Sequence, residues 1–177
     1  MSVAANRYAR ALIDVLYPNR AESGLVQLEA FSSLLSREIE AQGIFENPTI
    51  SADRRKALLK GISHTLNLES PIRNFLNLLI ERNRIELLDQ IVAAYRTLLD
   101  ERLGIVRARV VSARPLDSIQ QQEVAEKIQK LTGKRVRMEL ATDPNLIGGL
   151  VAHVGSTIYD GSIRQQLRAF RSRLANE

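Results

Sequence analysis

At Ile105 the spacing of apolar residues changes from about 3.6 to 2, and no single regular element accommodates both periods. Upstream, Ile85, Leu88, Val92, Tyr95, Leu99 and Leu103 form one helical stripe opposite Glu86, Asp89, Arg96 and Asp100. Downstream, Val106, Ala108 and Val110 alternate with Arg107 and Arg109, the pattern of a half-buried strand. Gly104 sits between them as a helix stop. The chain therefore reads as two parts, residues 1–104 and 105–177, with a short join.

The first part reads as a bundle of helices in close succession. Ala5, Ala9, Leu12 and Leu16 share one face of a helix that Pro18 ends. A second helix is expected over Ala21 to Glu40, with Leu28, Phe31, Leu35 and Ile39 in register, and Gly43 and Pro48 interrupt the segment after it. Ser51 can cap a third containing Leu58, Leu59 and Ile62, and Ser70-Pro71 opens another because proline at the first helical position loses no needed bond. The second part reads as a small α+β domain of β-α-β-β-α order. Asp117 to Gln120 has the form of a capping box, Val124, Ala125, Ile128 and Leu131 make a stripe, and Gly133 ends that helix. Val136, Met138 and Leu140 then alternate as a strand. The turn Asp143-Pro144-Asn145 leads to a third strand through Val154, with Gly148-Gly149 inside its apolar pattern, and a short fourth near Thr157 to Tyr159. A last helix places Ile163, Leu167, Phe170 and Leu174 on one stripe. The fold class is mainly α.

With 45% hydrophobic residues the 177-residue chain can bury a core, yet no apolar run reaches the roughly 20 residues needed to span a bilayer. No leader of secretory or transit type is evident, and the absence of cysteine excludes disulfides and thiolate chemistry. These features suggest a bacterial cytoplasmic protein. Residues 1–104 hold 13 basic and 13 acidic side chains, whereas residues 105–177 hold 12 and 7, so the whole net charge of +5 lies in the second part. An acidic partner or nucleic acid would complement it.

A search for chemistry finds no phosphate-binding loop, and Gly148-Gly149 lacks the remaining glycine of a dinucleotide fingerprint. His64 and His153 fall in different parts without ligand-spaced partners, and no serine lies in a G-x-S-x-G elbow. No catalytic residue, metal site or cofactor is expected. Surplus apolar surface is what remains. In the helix from Ser70, the residues Ile72, Leu76, Leu79 and Ile80 supply a core stripe, yet Phe75 and Leu78 project from another side. The first helix likewise carries a second row, Ala4, Tyr8, Ala11 and Val15, where small residues permit close approach and the aromatic offers an anchor. Central burial and a docking groove both account for these rows.

Several stretches together resemble the delta subunit family of F-type ATP synthases, which includes the mitochondrial oligomycin-sensitivity-conferring protein. They are Asp143 through Gly155, the run Ile158-Tyr159-Asp160-Gly161-Ser162-Ile163-Arg164, the opening Arg7-Tyr8-Ala9-Arg10-Ala11-Leu12, and Asn74-Phe75-Leu76 through Arg84-Ile85. The resemblance implies a non-catalytic stator subunit, one copy per complex, that links the catalytic head to the peripheral stalk so that proton flow is coupled to ATP synthesis. It implies that the amino-terminal helix of an alpha subunit lies in a groove between the first and fifth helices, where Tyr8, Ala11 and Leu78 occupy matching positions. Residues 105–177 would engage the stalk b subunits, with Arg164, Arg168 and Arg171 as candidate contacts. The implied location is peripheral, on the cytoplasmic face of the bacterial inner membrane, without membrane insertion and without nucleic acid. The competing reading is a basic RNA-binding adaptor using Arg107, Arg109, Arg135 and Arg137 on one sheet face, with Arg164, Arg168, Arg171 and Arg173 on the last helix, although the strands lack stacking aromatics.

Overall fold

The structure is a computed structural model that describes residues 2–155, 157–165 and 167. The chain divides into two compact units, residues 1–99 and 100–177.

In the first unit α1 (Val3–Leu16) opens with the Ser2 hydroxyl accepting the Ala4 amide. It buries Ala5, Ala9, Leu12, Ile13 and Leu16 on one face. The expected second helix is broken in two, α2 (Ala21–Arg37) and α3 (Ile39–Glu46), because the backbone leaves the helical region at Glu38 (φ −104°, ψ 83°). The break takes Ile39 out of register with Leu35, and Ile39 is 80% exposed. Gly43 lies inside α3 rather than ending a helix. The Ser51 hydroxyl accepts the Arg54 amide to start α4 (Ala52–Thr65). Its inner row is Arg55, Leu59 and Ser63, whereas Leu58 and Ile62 are only half-buried.

Arg55 is a buried cation that periodicity does not flag. Its guanidinium donates to the Phe45 carbonyl at 3.3 Å and to Asn83 Oδ1 at 2.7 Å. It thereby ties the last turn of α3 to the second residue after α5 (Ser70–Glu81), where Asn83 holds φ at +50°. The negative end of a helix suits that charge. Pro71 sits at the start of α5, as the Ser70-Pro71 signal requires. A 3-10 turn at Ile85–Leu87 precedes α6 (Leu88–Leu103). Tyr95 of α6 is fully buried and its hydroxyl donates to the Ala21 carbonyl at 3.0 Å. Gly24 lets these helices close up: a Cβ there would stand 2.6 Å from Leu16 Cδ1.

The second unit begins within the last turn of α6, five residues before the period changes, because Arg107 bonds back to Asp100 and the Gly104 carbonyl accepts the Arg135 amide. Strand β1 (Ile105–Ser112) is followed by α7 (Ser118–Thr132), whose Asp117–Gln120 capping box is present and which ends at Gly133 with φ +67°. Strands β2 (Arg135–Thr142), β3 (Leu150–Val154) and β4 (Thr157–Asp160) complete a sheet of order β2-β1-β3-β4, with β1 parallel to β2 and the other pairs antiparallel. Ile128 of α7 joins Ala108, Val110, Ala152 and Val154 in a small core. Leu131 does not continue the stripe, since it is 64% exposed.

Gly148-Gly149 precedes β3 instead of lying within it. A Cβ on Gly149 would stand 2.4 Å from the Gly161 carbonyl oxygen, so the two glycines mark close backbone approach. Beyond it, the Asp160 carboxylate accepts the Ser162 amide at 2.9 Å and the Ser162 hydroxyl accepts the Gln165 amide, opening a helical turn at 163–165. Of the expected terminal stripe, Ile163 and Leu167 are exposed, while Phe170 and Leu174 lie outside the described residues. Among the described residues no helix is long and apolar enough to cross a membrane.

Gly149 and Gly104 both hold positive φ, +82° and +62°, but a Cβ on Gly104 meets open space. Gly104→Ala should cost about 1–3 kcal/mol for conformation alone. Gly149→Ala should lower the thermal unfolding transition of the full chain by clearly more, because backbone must also shift; equal losses would show that the Gly161 approach contributes nothing.

Candidate functional site

Helices α1 and α5 meet along a concave apolar surface of about 630 Å³. Its α1 wall is Tyr8, Ala11 and Val15, and its α5 wall is Asn74, Phe75 and Leu78. The 3.6-residue period explains the pairing. On α1 these positions stand at i, i+3 and i+7, and on α5 Asn74 and Leu78 are one i, i+4 pair. The core faces of both helices, Ala5, Ala9 and Leu12 on one and Ile72, Leu76, Leu79 and Ile80 on the other, are turned inward and buried. The groove rows are therefore distinct from the core rows except at Leu12 and Phe75, which are buried and also line the concavity.

Burial differs along the groove. Phe75 is only 8% exposed, so it forms the floor and does not project freely as the sequence pattern suggests. The reason is the neighbouring aromatic: Tyr8 meets it edge to face, with centroids 6.3 Å apart and planes at 72°. That arrangement suits the ring quadrupoles. Leu78 and Val15 stand at the rim, 39% and 66% exposed. Ala11 is exposed and Tyr8 half-buried. Ala4, half-buried, lies a turn before Tyr8 and does not line the groove. Leu12 adds to the floor, Ser70 and Pro71 close one end, and Arg7 sits 6.0 Å from the Tyr8 ring centroid. Sequence reasoning did not select Arg7, Leu12, Ser70, Pro71 or Asn74. Helical spacing could have found the polar ones, since Arg7 precedes Ala11 by four and Ser70, Asn74 and Leu78 form an i, i+4, i+8 row.

No carboxylate lines this groove among the described residues. Its chemistry is that of a receptor for an apolar helix face: a wide stripe of aliphatic and aromatic surface with a hydroxyl, an amide and a guanidinium at the margin.

In the second unit the sheet face away from α7 carries Arg107, Arg109, Arg135 and Arg137. Arg107 is spent on Asp100, and Glu139 lies opposite Arg109 in the register. No aromatic shares this face among the described residues, because Tyr159 pairs with Ala152 on the side that packs under α7. Among the described residues this face therefore offers no base-stacking platform. His153 is exposed on β3 and His64 is exposed in the last turn of α4. Among the described residues no group of three His, Asp or Glu is placed to hold a metal ion. Of the candidate stalk contacts, Arg164 is exposed with its guanidinium 3.4 Å from the Asn145 carbonyl; Arg168 and Arg171 lie outside the described residues.

Comparison with known proteins gives one consistent family. The family model described as ATP synthase delta (OSCP) subunit matches residues 4–174. ATP synthase subunit delta 1 of Syntrophotalea carbinolica is 42% identical over 165 residues, which is 93% of this chain and 92% of the relative. ATP synthase subunit delta of Anaeromyxobacter dehalogenans (strain 2CP-1) is 38% identical over 175 residues, 98% of each. The fold is also similar to a chain in the cryo-EM structure of the Toxoplasma gondii mitochondrial ATP synthase hexamer, with a TM-score of 0.69 at 22% identity, covering 99% of this chain and 98% of that one.

The difference in burial across the groove can be measured in the free chain. Phe75→Ala should cost about 3–5 kcal/mol, the usual loss for a buried aromatic. Leu78→Ala should cost about 1 kcal/mol or less, because much of its surface is already wet. Chemical denaturation of both variants checks this; equal losses would place Leu78 in the core.

Proposed function

The chain belongs to the ATP synthase delta (OSCP) subunit family, and from that membership we propose how its two units divide the work. It is a structural subunit of the F-type ATP synthase, a stator component within the assembly of catalytic head and peripheral stalk. Rotor torque would turn an unanchored head, so this joint must release slowly. It does no chemistry of its own in this reading, and it sits peripherally at the cytoplasmic face of a bacterial plasma membrane.

The α1–α5 groove receives the amino-terminal helix of an alpha subunit. The observation that carries this is the separation of rows: both helices bury a full core face and still turn Tyr8, Ala11, Val15 and Leu78 toward one apolar concavity. A partner helix laying residues at i, i+3 or i+4, and i+7 along that stripe would dehydrate Leu78 and Val15 and cover the Tyr8–Phe75 pair. Residues 1–104 thus grip the head, and residues 105–177 engage the stalk b subunits, with Arg164, Arg168 and Arg171 toward acidic stalk surface. The RNA-adaptor reading falls away with family membership and with the missing stacking platform.

Leu78→Asp tests the groove, since it puts a charge where an apolar face must dock. Docking should weaken by several kcal/mol, roughly a thousandfold, while the free variant keeps its cooperative unfolding. Titration with a peptide from the alpha-subunit amino terminus reads the affinity, and an unchanged Kd would put the head elsewhere on the molecule.

The excess basic charge of residues 105–177 should act mainly on encounter. Stopped-flow association with a peptide from the carboxy-terminal end of the b subunit should slow as salt rises from about 0.05 to 0.5 M. A rate indifferent to salt would return these arginines to ordinary surface.

A further inference from the structure

We propose that the concavity between α4 and α5 is a second docking site on the first unit, for an acidic peptide segment with an apolar anchor. It encloses about 680 Å³ on a part of the unit that the α1–α5 groove does not use. Helix α5 separates the two by its own period: Asn74, Phe75 and Leu78 serve the first, whereas Arg73 and Asn77 project about a third of a turn away, toward α4.

Charge identifies the occupant. Lys56, Lys60, His64 and Arg73 line the concavity, and no carboxylate lines it among the described residues. Of the three cations, Lys56, Lys60 and Arg73, the first is matched: Lys56 bonds Glu81 at the margin, and that hydrogen bond, with the lysine charge beside it, holds the Glu81 carboxyl below the usual carboxylate range. Among the described residues the Arg73 side chain makes a neutral contact, its Nη2 donating to the Ser70 hydroxyl at 3.2 Å. The side chains of Lys60, His64, Asn67 and Asn77 make no hydrogen bond or ion pair with other described residues. Positive charge and unspent amide donors thus converge on one hollow.

The floor argues for a peptide over a small anion. Leu59 and Leu68 form it with Ser63, whose hydroxyl is already committed to the Leu59 carbonyl at 2.6 Å. The stems of the long basic side chains extend that apolar surface. A lone phosphate would meet the cations and leave the leucine floor wet. A segment carrying Asp or Glu beside a Leu or Ile covers both. This site is independent of whatever fills the α1–α5 groove.

The test uses the 15N-labelled full chain with two short synthetic peptides, one repeating Glu-Leu-Glu-Glu and one with every Glu replaced by Lys. The acidic peptide should shift the amides of Lys60, His64 and Asn77, and the basic one should not. Lys60→Glu with Arg73→Glu should weaken binding by about tenfold or more, whereas Leu78→Asp should leave it unchanged. If the doubly acidic variant loses its thermal unfolding transition, the neutral pair Lys60→Gln and Arg73→Gln makes the same test. Four results would overturn the proposal: equal shifts from the basic peptide, unchanged affinity in the charge variants, shifts confined to Tyr8 and Leu78, or displacement of the peptide by inorganic phosphate at matching concentration.

Discussion

The burial of one face of α5 sets everything the first unit presents. Ile72, Leu76, Leu79 and Ile80 are fully buried, which fixes the rotation of the helix about its own axis. A helix so fixed cannot choose what its other faces show. Phe75 and Leu78 must then meet Tyr8 of α1 on one side, and Arg73 and Asn77 must meet α4 on the other. Each buried aliphatic side chain contributes on the order of 1.5–3 kcal/mol, so turning the helix to hide Leu78 would cost far more than it returned. The exposed leucine is thus held in place by the core beneath it. Arg55 reinforces the far end of the same helix by holding Asn83, which keeps a buried cation among carbonyl and amide oxygens with no carboxylate partner among the described residues.

In the second unit the corresponding constraint is the register of the sheet. Alternation sends Val106, Ala108 and Val110 toward Ile128 of α7, and the arginines of β1 necessarily to the opposite face. Register alone does not decide their partners: Glu139 lies opposite Arg109 in the ladder, yet its carboxylate stands 4.0 Å from the guanidinium of Arg107, which also bonds Asp100 in the last turn of α6. Part of the basic charge is therefore consumed in building the unit and is not offered to a partner.

A stator joint needs slow release more than it needs chemistry, and the two kinds of surface here suit different parts of that task. In the proposed docking, apolar surface such as that over the Tyr8–Phe75 pair would act on dissociation, because dehydration is lost only when the complex opens. Unmatched cations on the surface act on encounter and are screened by salt. Family membership supports this mechanical reading.

Sequence by itself determined the classes of element and most of their ends. The change of period at Ile105, the Asp117–Gln120 capping box, Ser51, Ser70-Pro71 and Gly133 each act over a few residues, so local chemistry suffices to specify them. Periodicity also separated the row Tyr8, Ala11, Val15 from the core row of α1. It could not say what covers a row, because that depends on where another helix passes. Phe75 became floor through Tyr8, Ile39 was released to solvent by the break at Glu38, and Leu131 was left exposed at the end of the α7 stripe. Arg55 was invisible for the same reason: its partners, the Phe45 carbonyl and Asn83, lie 10 and 28 residues away and become neighbours only in the folded chain. Local signals decided what each segment is, and tertiary packing alone decided which of its apolar and charged faces remained available to a partner.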